Sequence, residues 1–348
     1  MPKHALVRTI VATAVLAVLG ATQVACQPAS ALRVTTEEDI LGLTSRLVFS
    51  TANEIDTGAR TATLTNTGSS TIRVTGLTIA GDQANQFRLA AGQPTSFSIG
   101  PNKSAPVRAR FTPTSNGNKF ATLTVVNNSA TPRYEIRLRG VSAFGTVGHT
   151  EPQLAQLIRL FGYQTNIGFS AGFQATDRDT YGDEVVNPYF VRAVASRPVR
   201  VTPIARYTGA SYGNGHSGRT TNNSRTKQLM YRFPPDEFVD ENDGDGVDSS
   251  VYSENQKTFP AANGAFTFNP SAPFGIYGNH SVYTDDRFNQ DSSGKLYRNI
   301  RVYPAKGEGG ARIANAWLLA IDVNTDGADK NYDYQDQLIL LTNAKPRP

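Results

Sequence analysis

Acidic side chains bracket a hairpin near the end of the chain, and carboxylates can bind metal ions or transfer protons. A strand-like apolar run, 315–321, ends in Asp322, and Asp333 and Asp336 precede a second apolar run, 338–341. Three carboxylates at the mouth of two buried strands repel one another unless a cation or a hydrogen-bond network holds them. Because oxygen ligands of this kind suit calcium, the pattern predicts a metal-stiffened surface module rather than an active site.

A further acidic pair, Asp285 and Asp286, follows an apolar run ending at Tyr283. If the loops of a β-sandwich bring this pair to the same rim, it joins Asp322, Asp333 and Asp336 in an oxygen cage for a divalent cation. The alternative is that these residues make turns, since Asp and Asn at strand ends hydrogen-bond nearby backbone NH groups.

A second calcium candidate is the acidic stretch 240–248, which resembles the calcium loops of EF-hand, dockerin and thrombospondin type. Such a loop needs oxygens at alternate positions and a glycine at the sixth. The matching positions are Glu241, Asp243, Asp245, Gly246 and the Val247 carbonyl. Tyr252 stands where a twelfth-position Glu is usual, so a charged flexible insert is the alternative.

Tyrosines recur beside these acids, which raises the possibility of sugar binding. Rings that stack on pyranose faces next to polar side chains are the usual means of recognising a glycan. The candidate platform is Tyr283, Tyr332 and Tyr334. Trp317 alternates in phase with Leu319 and Ile321, which predicts a core position instead.

Other chemistries receive little support. A polysaccharide hydrolase would need one raised and one ionised carboxyl, and the acids on offer are Asp177, Asp179, Asp183 and Glu184. No Gly-x-Ser-x-Gly elbow or cysteine nucleophile accompanies them, and the histidines lack zinc-ligand spacing. The glycine-rich stretch 207–225 is predicted to be a mobile loop. We therefore expect a protein that is not an enzyme.

The N-terminus has the layout of an export signal. Lys3 and Arg8 precede an apolar run, 10–19, and small residues lead to Cys26, the only cysteine. The string 23–26 resembles a bacterial lipobox, which implies a signal peptide over 1–25, a lipidated Cys26 and a tether over 26–44. Ordinary cleavage after Ala31 is the alternative. The expectation is an exported protein, lipid-anchored at the membrane surface.

Charge and composition limit the kinds of partner and the fold class that can be expected. Removing the signal segment takes away Lys3 and Arg8, which leaves +3 of the formal net charge of +5. No cluster of Lys and Arg interleaved with aromatics occurs, so nucleic acid is not expected as a partner. The Thr-, Gly- and Asn-rich remainder with short period-two runs is typical of β-proteins, and its length suits two domains.

The first domain is predicted over 45–143 as a sandwich of half-buried strands separated by turn signals. The runs 63–68, 72–74, 87–89 and 107–113, followed by 136–140, resemble the ASPM-SPD-2-Hydin (choice-of-anchor D) immunoglobulin-like domain. That resemblance implies a spacer or protein-binding sandwich without catalytic residues.

The second domain, 149–344, opens with a predicted amphipathic helix that Thr150 caps and Gly162 ends. Strands are predicted at 189–195, 199–207, 228–233, 265–268, 274–277, 299–304, 316–321 and 337–341. The strings 157–163, 282–289 and 333–336 resemble an uncharacterised C-terminal β-module of secreted bacterial surface proteins. We therefore expect a larger, jelly-roll-like β-sandwich.

The sequence as a whole predicts an all-β, envelope-anchored lipoprotein. Its calcium-stabilised second sandwich would bind an envelope glycan or a surface-layer protein. The alternatives are a secreted polysaccharide hydrolase and a purely structural envelope component.

Overall fold

The computed structural model describes residues 30–52, 58–143, 151–169, 178–208, 215–234, 238–239, 251–252, 256–323 and 331–347. Over these residues, none of the helices has both the length and the apolar character needed to cross a membrane. The fold is all-β, with a single short α-helix among the described residues.

The first module is an immunoglobulin-like β-sandwich. Its strands are β1 Leu32–Thr35, β2 Arg46–Ala52, β3 Ala59–Asn66, β4 Ile72–Ala80, β5 Phe87–Leu89, β6 Phe97–Ile99, β7 Ser104–Phe111, β8 Gly117–Asn127 and β9 Arg133–Ala143. One sheet has the order β1-β3-β7-β5 and the other the order β2-β9-β8-β4-β6. The β2–β9 pair is parallel. Alternate residues of both sheets, including Leu64, Phe111 and Leu138, fill the core between them.

The expected tether is shorter than the sequence indicated. Strand β1 pairs with β3 in register Leu32↔Asn66, and a 3-10 helix follows at Glu37–Leu41. Leu41 is buried against the second module. The alternation in β1 spans only four residues, which is too few to distinguish a strand from a polar linker. The sequence pattern therefore does not indicate where the fold begins.

Among the described residues, the second module contains α1 and fifteen strands. They are α1 Leu154–Phe161, β10 Phe190–Arg192, β11 Val199–Tyr207, β12 His216–Thr221, β13 Lys227–Arg232, β14 Phe238–Val239, β15 Val251–Tyr252, β16 Gln256–Thr258, β17 Asn263–Gly264, β18 Thr267–Phe268, β19 Phe274–Gly278, β20 Val282–Tyr283, β21 Ile300–Lys306, β22 Arg312–Ile321, β23 Gln337–Thr342 and β24 Ala344–Pro346. The outer sheet has the order β17-β13-β12-β19-β10-β24, and the inner sheet the order β16-β11-β23-β22-β21.

The inner sheet is buried on both faces, which explains its continuous apolar runs. Leu319 and Ile321 of β22 lie in the core shared with the outer sheet. Leu318 and Ala320 face the other way and pack with α1 and with Val48 of the first module. The indole of Trp317 is in the core as predicted, and its Nε1 donates to the Ala344 carbonyl at 2.9 Å.

Helix α1 forms largely as the sequence indicated. Its N-cap is Gln153, whose backbone NH donates a hydrogen bond to Gln156 Oε1 at 2.8 Å. The predicted cap, Thr150, lies outside the described residues. Gly162 ends the helix with φ at 90°, a left-handed conformation that suits glycine.

The two modules are docked through the end of α1. Arg46 of β2 is fully buried, and its Nη1 donates to the Phe161 carbonyl at 2.5 Å. Its Nη2 donates to Glu308, in the β21–β22 connection, at 2.8 Å. A Cβ at Gly162 would lie 1.9 Å from Arg46 Nη1, so the contact requires glycine there. A cation at the C-terminal carbonyls also complements the helix dipole.

The strands predicted for the second module agree with the structure apart from their limits, but one central strand was missed. His216–Thr221, within the expected mobile loop 207–225, forms β12 between β13 and β19. Its residues include Gly218, where a Cβ would meet the Gln228 carbonyl at 2.2 Å. Glycines and hydroxyls mark a close approach of backbones here, which in the sequence is indistinguishable from a loop.

Candidate functional site

The strongest candidate site is at one end of the inner sheet, where several strands begin or end. Arg206 of β11 and Ile321 of β22 both pair with Gln337, the first residue of β23. Asp322 and Asp336 are the residues next to these pairs. Antiparallel pairing therefore gathers the acids of the predicted hairpin at one place.

Backbone hydrogen bonds hold Asp322 and Asp336 across the hairpin. The NH of Val323 donates to Asp336 Oδ2 at 2.7 Å, and the NH of Tyr332 donates to Asp322 Oδ2 at 3.1 Å. Asp322 is fully buried and Asp336 is 9% exposed. These carboxylates thus lie in an environment of low dielectric, where charge is costly.

The Gln335 amide connects Asp333 to a fourth acid, Glu151, which precedes α1, and the Gln256 amide also bonds Glu151. Gln335 Nε2 donates to Asp333 Oδ2 at 2.8 Å and to Glu151 Oε2 at 3.0 Å. Gln256 Nε2 donates to Glu151 Oε1 at 2.7 Å and to the Thr208 carbonyl at 2.7 Å. We call Glu151, Asp322, Asp333 and Asp336 the acid cluster.

Burial raises the pKa values of two members of this cluster, Glu151 and Asp336. The pKa of Asp336 is raised by burial and then by the charges of Asp333 and Asp322. Burial raises the pKa of Glu151 to about 7, against hydrogen bonds from Gln256 and Gln335. Neither Glu151 nor Asp336 is ion-paired with any cationic side chain that the structure describes. Glu151 and Asp336 are thus held by hydrogen bonds without a counter-charge from the described residues, and a proton or a bound cation would relieve the remaining repulsion.

The backbone on both sides of Asp333 is in the left-handed region. Tyr332 has φ at 58° and Tyr334 at 59°, a conformation that costs a bulky residue about 1–3 kcal/mol. Tyr334 is held by its hydroxyl, which donates to the Arg298 carbonyl at 2.7 Å, and by Arg301, 4.6 Å from its ring. Tertiary contacts therefore impose the position of Asp333.

The ligand set of the acid cluster is oxygen-based, which suits calcium. Within the described chain, however, no three acidic, histidine or cysteine side chains already surround one point as metal ligands. The Gln335 amide lies between Asp333 and Glu151. Its Oε1 is buried and has no hydrogen-bond partner in the described structure.

Asp285 does not join this cluster, contrary to expectation. Its Oδ2 accepts from Arg287 Nη2 at 2.6 Å and from the Tyr189 hydroxyl. Burial acts to raise the pKa of Asp285, but the bonds from Arg287 and Tyr189 outweigh it and lower the pKa overall. The residue also caps a 3-10 helix at 286–288, so the turn-forming alternative describes it.

Asp286 is likewise neutralised elsewhere. Its Oδ2 accepts from Arg298 Nε at 3.1 Å and lies 3.5 Å from Arg178 Nε. Burial raises the pKa of Asp286, with Arg298 and Arg178 acting against it. Together with Asp285 it borders a cleft of about 200 Å³ lined by both signs of charge. The five-acid cage is therefore wrong in including this pair.

The proposed tyrosine platform is also not realised. Tyr334 is fully buried and Tyr283 is 5% exposed, so neither ring can stack on a sugar. Tyr283 packs on Phe288, with ring centroids 5.6 Å apart. Tyr332 is half-buried against the hydrophobic cluster around α1. Aromatic residues at the ends of these strands cover the core instead.

Two of the carboxylates considered for hydrolysis, Glu184 and Asp183, are paired with basic side chains. Glu184 accepts from Arg301 Nη1 at 2.6 Å and from Arg298 Nη1 at 3.2 Å. Asp183 accepts from Lys306 Nζ at 2.7 Å. Burial acts to raise the pKa of Asp183, but Lys306 and the Asn166 NH lower it overall. This is not the environment of a protonated general acid.

Several predicted residues lie outside the described part of the chain. They are Cys26, Glu241, Asp243, Asp245, Val247 and Asp177. Conversely, Glu151 and Gln256 were not recognised as site residues. A single Glu before a helix and a single Gln in a short strand carry no spacing signal, and only the fold brings them to the acids.

No family model matches the chain. No curated protein matches it either. Among solved structures, the chain is similar to a protein of unknown function from Porphyromonas gingivalis W83, with 12% identity and a TM-score of 0.26 over 35% of this chain. The match covers 51% of that protein, so this chain corresponds to about half of its length.

Two other solved structures are similar to the chain at equally low identity and TM-score. The ASH/PapD-like domain of human CEP192 is 15% identical with a TM-score of 0.25, over 41% of this chain and 99% of that one. The secreted serine protease VesC from Vibrio cholerae is 8% identical with a TM-score of 0.25, over 89% of this chain and 52% of that one. TM-scores this low carry no argument, so the fold rests on the strand pairing above.

Proposed function

We propose that this protein is an exported, non-enzymatic component of the cell envelope with a structural or adhesive role, stiffened by calcium at the acid cluster. The observation that carries the proposal is that Glu151 and Asp336, both buried at the same sheet end, lack an ion-pair partner among the described residues. In the proposed arrangement the first module is an ASPM-SPD-2-Hydin-type spacer and Cys26 carries the lipid anchor.

Calcium fits the cluster by chemistry, although its ligands must first converge. The four carboxylates supply hard oxygens, and the amide oxygen of Gln335 is buried beside two of them. Turning that amide over would direct the oxygen toward Asp333 and Glu151. Such a turn is favourable when a cation lies between the carboxylates and unfavourable without one.

An ion at this place would stiffen the junction between the modules. Glu151 immediately precedes α1, whose apolar face packs against Val48 and Val141 of the first module. The same ion would tie Glu151 to the β22–β23 hairpin of the inner sheet. A rigid two-module rod that presents its far end to a partner is a use consistent with this arrangement.

The partner in the proposal is a protein or polymer of the envelope. Burial of Tyr334 and Tyr283 removes the specific argument for a stacked glycan. Pairing of Asp183 and Glu184 with bases likewise leaves no described carboxylate pair that favours a hydrolase. The acid cluster, deep at a sheet end, is suited to holding a structural ion.

Thermal melting of the full-length protein with calcium, with magnesium and with chelator tests the proposal. A bound ion stabilises the folded state by about 2.7 kcal/mol at a hundredfold excess over Kd, so a saturable rise in Tm is expected. Asp333→Ala should abolish the rise, whereas Asp245→Ala should do so only if the ion binds in the 240–248 loop. Asp82→Asn, an exposed acid, is the control.

Absence of any calcium-dependent shift would overturn the calcium proposal and leave a proton-held structural cluster. Anchoring is tested on the same protein by metabolic labelling with a palmitate analogue. Labelling should be lost in Cys26→Ser, and labelling that persists in this variant would contradict the lipid anchor.

A further inference from the structure

A cleft of about 470 Å³ is lined by residues of both modules and by the end of α1. The first module contributes Phe120, Arg137 and Arg139, and the segment at the end of α1 contributes Arg159. Glu308, from the second module, is the one carboxylate among its lining residues. Three guanidinium groups thus face a single acid.

That single acid is already engaged. Glu308 Oε1 accepts from Arg46 Nη2 at 2.8 Å and from the Thr44 hydroxyl at 2.9 Å. Burial acts to raise the pKa of Glu308, but its bonds to Thr44 and Arg46 lower it overall. It therefore balances Arg46, the buried arginine that caps α1, and leaves the cleft arginines with a net positive charge.

Arg137 has an exposed partner outside the cleft, Glu135, at 3.1 Å. Arg139 and Arg159 have no ion-pair partner among the residues that the structure describes. An exposed pair such as Arg137–Glu135 contributes little and is readily exchanged for a stronger anion. All three guanidinium groups are therefore available to a ligand.

Arg139 is placed as an anion receptor. It is half-buried, its Nη1 donates to the Leu138 carbonyl at 3.1 Å, and its guanidinium lies 5.1 Å from the centre of the Phe120 ring. Burial, together with the nearby charges of Arg46 and Arg137, lowers the pKa of Arg139 to about 10. The contact with the ring helps to orient the group, and its remaining donors can bind an anion.

We propose that this interdomain cleft binds a phosphate group carried by a small anionic ligand. Planar guanidinium forks match phosphate oxygens in bidentate geometry, and several of them favour a dianion over a single carboxylate. The cleft is larger than one phosphate ion, so it has room for an attached sugar- or glycerol-sized group. Because both modules contribute arginines, the ligand would bridge them. This site is independent of the proposed calcium site.

Isothermal titration of the full-length protein with inorganic phosphate, pyrophosphate and glycerol 3-phosphate tests the proposal at near-physiological salt. Saturable binding is expected, and Arg139→Gln should weaken it by about tenfold or more, since a hydrogen bond to a charged group contributes about 1.5–3 kcal/mol. Arg159→Gln, at an exposed position, should weaken it without altering the fold. Arg33→Gln on β1 is the charge-matched control and should bind as the parent does.

Vesicles with and without phosphatidylglycerol identify the source of the phosphate. Binding of glycerol 3-phosphate or of the anionic vesicles, lost in Arg139→Gln but not in Arg33→Gln, supports phosphate recognition by the cleft. Absence of saturable binding to every probe, or equal affinity in the three variants, overturns it. Binding that disappears with moderate salt in all proteins alike is general charge screening and also overturns it.

Discussion

Two buried carboxylates in the second module, Glu184 and Glu151, have opposite kinds of hydrogen-bond partner. Glu184 lies between Arg298 and Arg301, with both partners of its pair to Arg301 fully buried. Glu151 lies between the amides of Gln256 and Gln335. A guanidinium supplies a full charge and fixes the carboxylate as an anion, whereas an amide supplies a dipole and leaves the anion unstable. The first arrangement supplies a full counter-charge, whereas the second supplies only amide dipoles and would be stabilised further by a proton or a cation.

The arginine-paired group is saturated with contacts inside the core. Arg301 packs between the rings of Tyr181 and Tyr334, at 4.9 and 4.6 Å, and its Nη1 also donates to the Asp179 carbonyl at 2.8 Å. Such a network orders the core and has little left to offer a ligand. By contrast, Glu151 and Asp336 of the acid cluster, and Arg139 and Arg159 of the interdomain cleft, have no ion-pair partner among the described residues.

The largest expected effect comes from breaking the arginine-paired group. Glu184→Gln keeps the shape of the side chain but leaves Arg301 and Arg298 buried without their anion, which should cost about 3–5 kcal/mol of unfolding free energy. Chemical denaturation measures this loss. Glu135→Gln removes an acid from an exposed pair and serves as control. A loss below about 1 kcal/mol would show that the two carboxylate groups do not differ in this way.

A smaller effect is expected from the pH dependence of the acid cluster. The pKa of Glu151 is raised from 4.5 to about 7 in the folded protein. A raised pKa means that the folded state binds the proton more tightly than the unfolded state. The stabilisation is therefore complete below about pH 4.5 and is lost as the pH rises to about 7, by roughly 3 kcal/mol.

Melting in the presence of chelator across this pH range is the measurement. Glu151→Gln should flatten the fall between about pH 5 and 7, because the amide does not titrate. Calcium should raise Tm more near pH 8 than near pH 5, since it must displace protons from the cluster. A parent protein whose Tm is independent of pH over this interval would contradict the assignment.

The smallest loss of stability is expected from a partly exposed ion pair, which can be compared with the buried pairs of Glu184. Lys306 and Asp183 form a pair at 2.7 Å whose side chains are 25% and 23% exposed. Lys306→Met should cost no more than about 1 kcal/mol, because solvent screens such pairs. Denaturation at low and high salt is the test, and the effect of salt on the parent should vanish in the variant. A loss comparable to that of Glu184→Gln would contradict burial as the deciding factor.

Much of the fold could be predicted because most strands show a local alternation of apolar and polar residues. Strand β11 was predicted at its observed limits, and α1 ends at the predicted Gly162. Strand β12 was missed because Gly218 and its hydroxyl-bearing neighbours carry no apolar alternation. Strand β1 was missed because four residues are too few for a pattern.

The site was predicted in part. Asp322, Asp333 and Asp336 come together because they flank adjacent strands of one hairpin, which the sequence shows. Asp285 and Asp286 were misplaced, since their proximity depended on how separate loops converge. In the structure, ion pairs with Arg287 and Arg298 hold them away from the acid cluster. The burial of Tyr334 likewise depended on Arg301 and on a left-handed backbone, neither of which a sequence pattern indicates.

Local patterns in the sequence are enough to indicate the β-sandwich class and the hairpin that carries three acids. Alternation and turn residues act over a few positions, and this is why they can be recognised in the chain. Three features are visible only in the folded protein: Glu151 joins those acids, the inner sheet is buried on both faces, and Arg139 and Arg159 share one cleft. Those outcomes depend on the sum of charge and burial from residues distant in sequence, which is fixed only when the two modules dock.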